Sequence, residues 1–198
     1  ARAAEEQQLR AAELLDRLSR LPHADVKQQA LAATLHVLQE HGAGLRAAAW
    51  PVLLSLVMHV AVDQHRELVA AGFRCVQLVC SDYLAQLPED CVALLITALG
   101  CYARDTADLN VSLSACNLLW SVADHIASGG GGEADGEAKV AQDRVAPAGA
   151  AIEPAAPAAP PARSLHRLWL PLFTEMLQLA GDTRGEMRSG AVQTLVLA

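Results

Sequence analysis

Apolar residues recur along this chain at the spacing of amphipathic helices. Leu31, Leu35 and Leu38 stand at positions i, i+4 and i+7 and therefore share one helical face. The same period continues in three later stripes: Leu68, Gly72, Cys75, Val76, Val79 and Tyr83; then Val111, Ala115, Leu118, Leu119, Val122 and Ile126; then Met187, Ala191, Leu195 and Ala198. Sustained period-two alternation, which is typical of strands, is absent from the sequence. The pattern predicts an all-α fold.

The helical segments form pairs that are joined by short loops. The predicted pairs cover residues 4–20 with 25–41, 45–61 with 63–84, 88–104 with 108–128, and 164–180 with 182–198. Pro22 and Gly42 punctuate the first pair, and Asp25 is predicted to cap its second helix through its carboxylate. Because short loops make neighbouring helices antiparallel, each pair should form a hairpin.

Repeats of about 40 residues, each one helical hairpin, are the signature of HEAT and armadillo proteins. One such hairpin supplies too little apolar area to be stable alone, so each should bury a face on the next. The predicted fold is therefore an all-α, HEAT/armadillo-like solenoid of about four antiparallel hairpins.

One segment interrupts this array. Residues 1–128 are predicted to form three HEAT-like hairpins, 129–163 a disordered Gly/Ala/Pro-rich loop, and 164–198 a fourth hairpin truncated at its C-terminus. Closing a loop of this length costs only about 2 kcal/mol more than closing a short one. We therefore expect the fourth hairpin to stack directly on the third. Because Ala1 is not Met and Ala198 lies in an apolar stripe, the chain is expected to be part of a longer cytosolic protein.

Composition narrows the possible partners. The formal net charge is −7, and the chain has no polybasic run, which argues against nucleic acid and against a direct grip on anionic lipid. The longest apolar run, 47–62, is too short to cross a bilayer and contains Pro51 and His59, so no direct membrane insertion is predicted.

No catalytic, metal or cofactor site is predicted. Ser121, Asp124 and His125 are close in sequence but point to different sides of a helix, which does not suit a nucleophilic triad. The cysteines contain no C-x-x-C pair and are expected to be buried free thiols in a reducing compartment, rather than a metal or redox site. They are Cys75, Cys80, Cys91, Cys101 and Cys116.

Two further features allow a structural or a functional interpretation. Asp182 at a turn, followed by Arg184 and Arg188, matches the acid-then-base pattern with which stacked HEAT repeats form a charge ladder, and Asp25 with Lys27 is a weaker echo. Simple helix capping by the aspartates is the alternative. The three tryptophans would either pack in the core or hold a partner peptide. They are Trp50, Trp120 and Trp169.

Three stretches together resemble one family. They are residues 73–84 with Asp82, followed by Pro88; Leu109-Asn110-Val111-Ser112-Leu113 with Leu118-Leu119-Trp120 and Asp124; and Leu168-Trp169-Leu170 with Asp182, Arg184 and Arg188. Trp50-Pro51 also fits. The pattern resembles the Mon-two (monensin-sensitivity) proteins, which are large peripheral scaffolds of the trans-Golgi network and endosomes related to the BIG/GBF group of Arf exchange factors.

The resemblance implies a non-catalytic interaction scaffold in endosome-to-Golgi and Golgi-to-vacuole transport. Its implied partners are Dopey-family proteins, Arf-like GTPases and a lipid flippase, and no cofactor is implied. The motif residues could be structural or could bind partners, and the composition of the 129–163 loop departs from the charged loop of the family. The alternatives are the regulatory helical-repeat region of a large Arf exchange factor, or an unrelated HEAT adaptor such as one for nuclear transport.

Overall fold

The computed structural model describes residues 2–104, 108–129 and 165–197, and within these ranges the chain forms helices and turns without a strand. This part of the chain confirms the predicted all-α fold. Its eight α-helices are α1 (Arg2–Ser19), α2 (Ala24–His41), α3 (Trp50–Val60), α4 (Arg66–Leu78), α5 (Glu89–Ala103), α6 (Leu109–Ala127), α7 (Trp169–Ala180) and α8 (Gly185–Leu197). A π-helical turn at Val79–Tyr83 continues α4.

The helices pack as four hairpins, α1–α2, α3–α4, α5–α6 and α7–α8. The odd-numbered helices contact one another in chain order, and so do the even-numbered ones, so that the hairpins form an odd row and an even row. The fourth hairpin contacts the third through α5–α7 and α6–α8, which is the direct stacking expected from the sequence. The predicted loop at 129–163 lies, apart from Gly129, outside the described residues.

The predicted stripes face the core. Leu31 and Leu38 are 1% exposed, and Leu119 and Met187 are fully buried between helices. Every member of the α4 stripe is buried, as are those of α6 except the half-buried Leu118. Helical periodicity therefore identified the buried side of each even-numbered helix correctly.

Several helix starts differ from the predictions. The carboxylates of Asp63 and Asp182 accept the backbone N–H two residues later, at 2.9 and 2.8 Å, so both lie in the turn before their helix. The predicted cap by Asp25 is wrong, because α2 already begins at Ala24 and its N-cap residue, His23, makes no side-chain capping bond. The helix α3 begins at Trp50 rather than at residue 45. Its first turn includes Pro51, which is tolerated because a backbone N–H at this position would have no acceptor within the helix.

Two tyrosines connect successive hairpins. The Tyr83 hydroxyl donates to the Leu38 carbonyl at 2.7 Å, and that of Tyr102 donates to the Val57 carbonyl at 2.7 Å. The Tyr83 ring lies against Gly42, where an added Cβ would fall 2.3 Å from Cζ. Because only glycine leaves this space, Gly42 permits the close approach of the first two hairpins.

The stretch Arg66–Gln86 is, by length and composition alone, long and apolar enough to cross a membrane: it has 21 residues, and an 18-residue window within it has a mean hydropathy of 1.3. Over half of that window, 56%, is buried inside the fold. Packing within the fold therefore accounts for its apolar character, as in the core helix of a helical protein.

Candidate protein-binding surface

Residues of the second and third motif stretches meet at the junction between the third and fourth hairpins. Arg184 Nη1 donates to the Ser112 hydroxyl on α6 at 2.9 Å, and its Nη2 donates to the Ala103 carbonyl at the end of α5, also at 2.9 Å. Ser112 is fully buried, so its hydroxyl needs such a partner. The motif residue Arg184 thus joins three helices and has a structural role.

Asp182 holds Arg184 in this position. Its carboxylate accepts bonds from Arg184 Nε at 3.0 Å and Nη2 at 2.8 Å. These side-chain bonds, helped by the Arg184 backbone N–H and the charge of Arg188, hold the pKa of Asp182 at about 2. Arg188 is exposed and donates to the carbonyls of Asp182 and Thr183, at 2.9 and 2.8 Å. Asp182 therefore both closes the turn before α8 and orients the arginine.

A related ion pair joins the first two hairpins. Lys27 Nζ lies 2.5 Å from the Asp63 carboxylate, and both side chains are mostly buried. Burial raises the pKa of Asp63, but bonds from Lys27 and from the His65 backbone and ring outweigh it and lower this pKa to about 2. Lys27 therefore pairs with the next hairpin rather than with Asp25. Charged contacts between hairpins occur at this junction and at the last one.

A second bridge to the fourth hairpin was missed by the sequence reasoning. Arg104, at the end of α5, donates to the buried Glu175 of α7 and, at 2.9 Å, to the Gln178 side chain. Glu175 packs over Gly100, where a Cβ would meet its carboxylate. Arg104 and Glu175 are 71 residues apart in sequence. The sequence signal for their pairing is that Glu175 is an isolated acidic residue in an apolar helix.

The tryptophans have different environments. Trp50 is 3% exposed, and its ring lies 5.6 Å from that of Tyr83, so it belongs to the core. Trp120 is half-buried on α6. Trp169 is also half-buried and stacks on Phe173 with the ring centroids 5.3 Å apart. Trp120 and Trp169 therefore remain available to a partner, whereas Trp50 does not.

The remaining motif residues lie apart from one another on the surface. Asp82 accepts a bond from the Ser81 hydroxyl at 2.7 Å in the π-helical turn, and Asp124 is exposed near the end of α6. Asn110 is exposed in the first turn of α6, where its N–H bonds to Asp108, the N-cap residue, at 2.9 Å. The structure thus brings together Ser112, Asp182, Arg184 and Arg188, but not the other motif residues.

The even row forms an open groove of about 710 Å³. It lies along α2 and α4 and reaches the first turns of α6. Small residues, among them Ala32, Ala70 and Ala71, leave the groove open. The sequence reasoning did not find this groove, because the residues that line it lie on separate helices.

A second open surface is an apolar stripe on α7. Leu170 is 76% exposed, Leu177 is 64% exposed, and Phe173 lies between them at the spacing of one helical face. No described helix covers this stripe. Exposed apolar residues that cluster in this way are typical of protein interaction surfaces.

The described residues hold no group of three or more His, Cys, Asp or Glu side chains that could bind a metal ion. Cys101 is half-buried, whereas the other cysteines are buried free thiols. Burial raises the pKa of Cys75 and of Cys80 to about 12, which leaves these thiols protonated and inert at neutral pH. Ser121 donates to the carbonyl of Asn117 on its own helix at 3.4 Å.

Comparison with known proteins identifies the family. Residues 81–198, which are more than half of the chain, match the family model described as the C-terminal region of Mon2 protein. The chain is 30% identical over 184 residues to a Mon2 homolog of Xenopus laevis and 29% identical over 184 residues to one of Homo sapiens, in each case covering 91% of this chain. A monensin-resistant homolog of Caenorhabditis elegans is 34% identical over 113 residues, or 55% of this chain.

These relatives are much longer than the chain, which spans 10% of the length of the Xenopus and human proteins and 7% of the Caenorhabditis one. No solved structure matches the chain significantly. The matched range includes the second and third motif stretches in full, and these are the stretches that meet at the junction of the third and fourth hairpins. The chain belongs to the Mon-two family, whose members are named Mon2 proteins.

Proposed function

We propose that this chain is a non-catalytic, protein-binding segment of a Mon2-like scaffold that acts in traffic between the Golgi and endosomes. The observation that carries the proposal is the match of residues 81–198 to the C-terminal region of Mon2 protein. Because the chain spans only about a tenth of its relatives, the proposal concerns one segment of a larger protein.

The proposed architecture is a HEAT/armadillo-like solenoid. The odd row and the even row, in which each helix contacts its counterpart in the next hairpin, support this architecture. The bridges between hairpins support it too, since they involve neighbouring hairpins, as in a stack of repeats. Such a stack leaves long outer surfaces free for partners.

The proposed partners are proteins. The net charge of −7 does not suit a phosphate backbone or an anionic membrane, whereas the groove of the even row and the stripe on α7 offer apolar area. By family resemblance the partners would be Dopey-family proteins, Arf-like GTPases or a lipid flippase. Location at the trans-Golgi network and endosomes would then follow from these contacts, without membrane insertion by this segment.

A chimera tests the proposal. A chimera is made from the human Mon2 protein by replacing its region of 184 matched residues with the matching part of this chain. The chimera is expressed in human cells from which the endogenous Mon2 protein has been removed. We expect the chimera to reach the trans-Golgi network and to label Dopey-family proteins in a proximity assay as the intact protein does. The matched control carries Leu119→Asp in the insert, which places a charge in the core and should abolish these effects.

A chimera that behaves like the Leu119→Asp control, although the insert is folded, would refute the proposal. Labelling dominated by nuclear transport factors, without Golgi or endosomal proteins, would instead support an adaptor of another pathway.

A further inference from the structure

We propose that the groove of the even row binds an extended peptide of a partner protein, and that this peptide carries an acidic side chain beside small apolar ones. The inference rests on the proposed function as a protein-binding segment and specifies where and what the segment binds. Three properties of the groove carry it: its floor, its rim of amides and a cation that pairs with no described residue.

The floor of the groove is apolar and shallow. Leu35 is half-buried in it, and Ala32 on α2 lines it together with Ala70 and Ala71 on α4. Alanine side chains leave room above the helices that larger residues would fill. A floor of this kind suits small apolar side chains of a ligand, because a bulky residue would find no deep pocket among the alanines.

The rim carries amide side chains that are not used within the fold. Gln28 and Gln39 on α2, Gln77 on α4 and Asn110 on α6 line the groove, and their side chains make no hydrogen bond to another described residue. An amide donates and accepts at once, and so it matches a peptide group of an extended chain. A helical ligand has already satisfied its own backbone groups. The amide rim therefore favours an extended peptide over a helix.

The charge of the groove favours an acidic side chain on the ligand. Arg74 of α4 faces the groove and makes no ion pair with another described residue, and His36 of α2 lies on the same rim. Glu67 is the acidic residue among those that line the groove, and it stands seven residues, or two helical turns, before Arg74. In a chain with a net charge of −7, this end of the groove is a local cationic site that complements a carboxylate.

The test is selection from a phage-displayed library of random 12-residue peptides on the immobilised chain, followed by fluorescence polarisation with the synthesised winners. We expect the selected sequences to be enriched in Asp or Glu beside Ala, Val or Leu. Ala32→Trp, which fills the groove from an exposed position, and Arg74→Glu, which reverses its cation, should each weaken binding by tenfold or more.

The matched controls are Ala33→Trp and Arg17→Glu, exposed residues outside the groove whose replacement should change the affinity less than twofold. Circular dichroism and thermal melting show whether each variant is folded. If Ala32→Trp is unfolded, Ala32→Phe takes its place, and if Arg74→Glu is unfolded, Arg74→Gln takes its place. Failure to enrich any sequence, enrichment of basic or helix-forming peptides, or binding that survives Ala32→Trp would overturn the proposal. The chimera can still succeed in each of those cases, which separates this proposal from the proposed function.

Discussion

Arg184 and Ser112 are hydrogen-bonded across the junction of the third and fourth hairpins, although they are 72 residues apart in sequence. The bond joins a charged donor to a hydroxyl that is completely buried, and a second bond joins the same guanidinium to the Ala103 carbonyl. Residues from both sides of the predicted loop therefore fix the relative position of the last two hairpins.

Arg184→Met should loosen the fourth hairpin. It removes hydrogen bonds from a charged donor to buried acceptors, which is worth about 2 kcal/mol. We expect faster amide hydrogen exchange in α7 and α8, with little change in α1 to α4. The matched control is Arg188→Met, because Arg188 is exposed and its side chain, among the described residues, donates only to carbonyls of the turn before α8. Equal effects of the two variants would show that the junction does not depend on Arg184.

Gly42→Ala should destabilise the fold by about 2 kcal/mol, because the new methyl group would overlap the buried ring of Tyr83. Chemical unfolding in urea measures this loss. Gly44 lies in the same turn with no atom within 4 Å of an added Cβ, so Gly44→Ala should be neutral or slightly stabilising. In a Tyr83→Ala background the cost of Gly42→Ala should largely disappear, and a cost that stays the same would contradict the steric explanation.

Stability should fall in acid as Asp63 and Asp182 take up protons. Their pKa values are held at about 2 in the folded protein, below the value of about 3.9 for an unfolded aspartate. The stabilisation is therefore complete above about pH 4 and is lost as the pH falls through about 2. Asp63→Asn and Asp182→Asn should each reduce the slope of the urea midpoint against pH in this window. The control is Asp124→Asn, at an exposed aspartate, which should leave this slope nearly unchanged. An unchanged slope in both Asp63→Asn and Asp182→Asn would contradict the prediction.

Thiol labelling should proceed in two stages. Iodoacetamide should modify Cys101 first, because its side chain is half-buried while the other cysteines are buried. The raised pKa values of Cys75 and Cys80, about 12, should make them react only when the protein unfolds. Intact mass measured over time, with and without urea, distinguishes the stages. Similar rates for all five thiols in the native protein would refute this burial pattern.

The sequence predicted those parts of the fold that depend on local periodicity. The stripes through Leu31, Leu68 and Leu119 are buried as expected, since each helix needs one apolar side. Helix starts were less predictable, because an aspartate near a helix start can bond within the preceding turn, as Asp182 does, cap the helix, as Asp108 does, or lie inside the first turn, as Asp25 does. The surrounding packing decides between these positions.

The contacts between hairpins were only partly predictable. Asp182 and Arg184 match a HEAT-repeat sequence pattern, but nothing in the sequence indicates that Arg184 bonds to Ser112. The pairing of Arg104 with Glu175 and the groove over Ala32 arise from residues that are distant in sequence. Their partners become visible only when the helices are placed side by side.

The bridges from Arg184 and Arg104 imply that the last hairpin does not need a covalent tether to find its place. Both arginines bond to groups across the junction, and α7 and α8 pack there against α5 and α6. Residues 2–129 and 165–197, produced as two separate polypeptides, should therefore reassemble on mixing. A reporter enzyme divided between them would then report on the integrity of this junction inside cells.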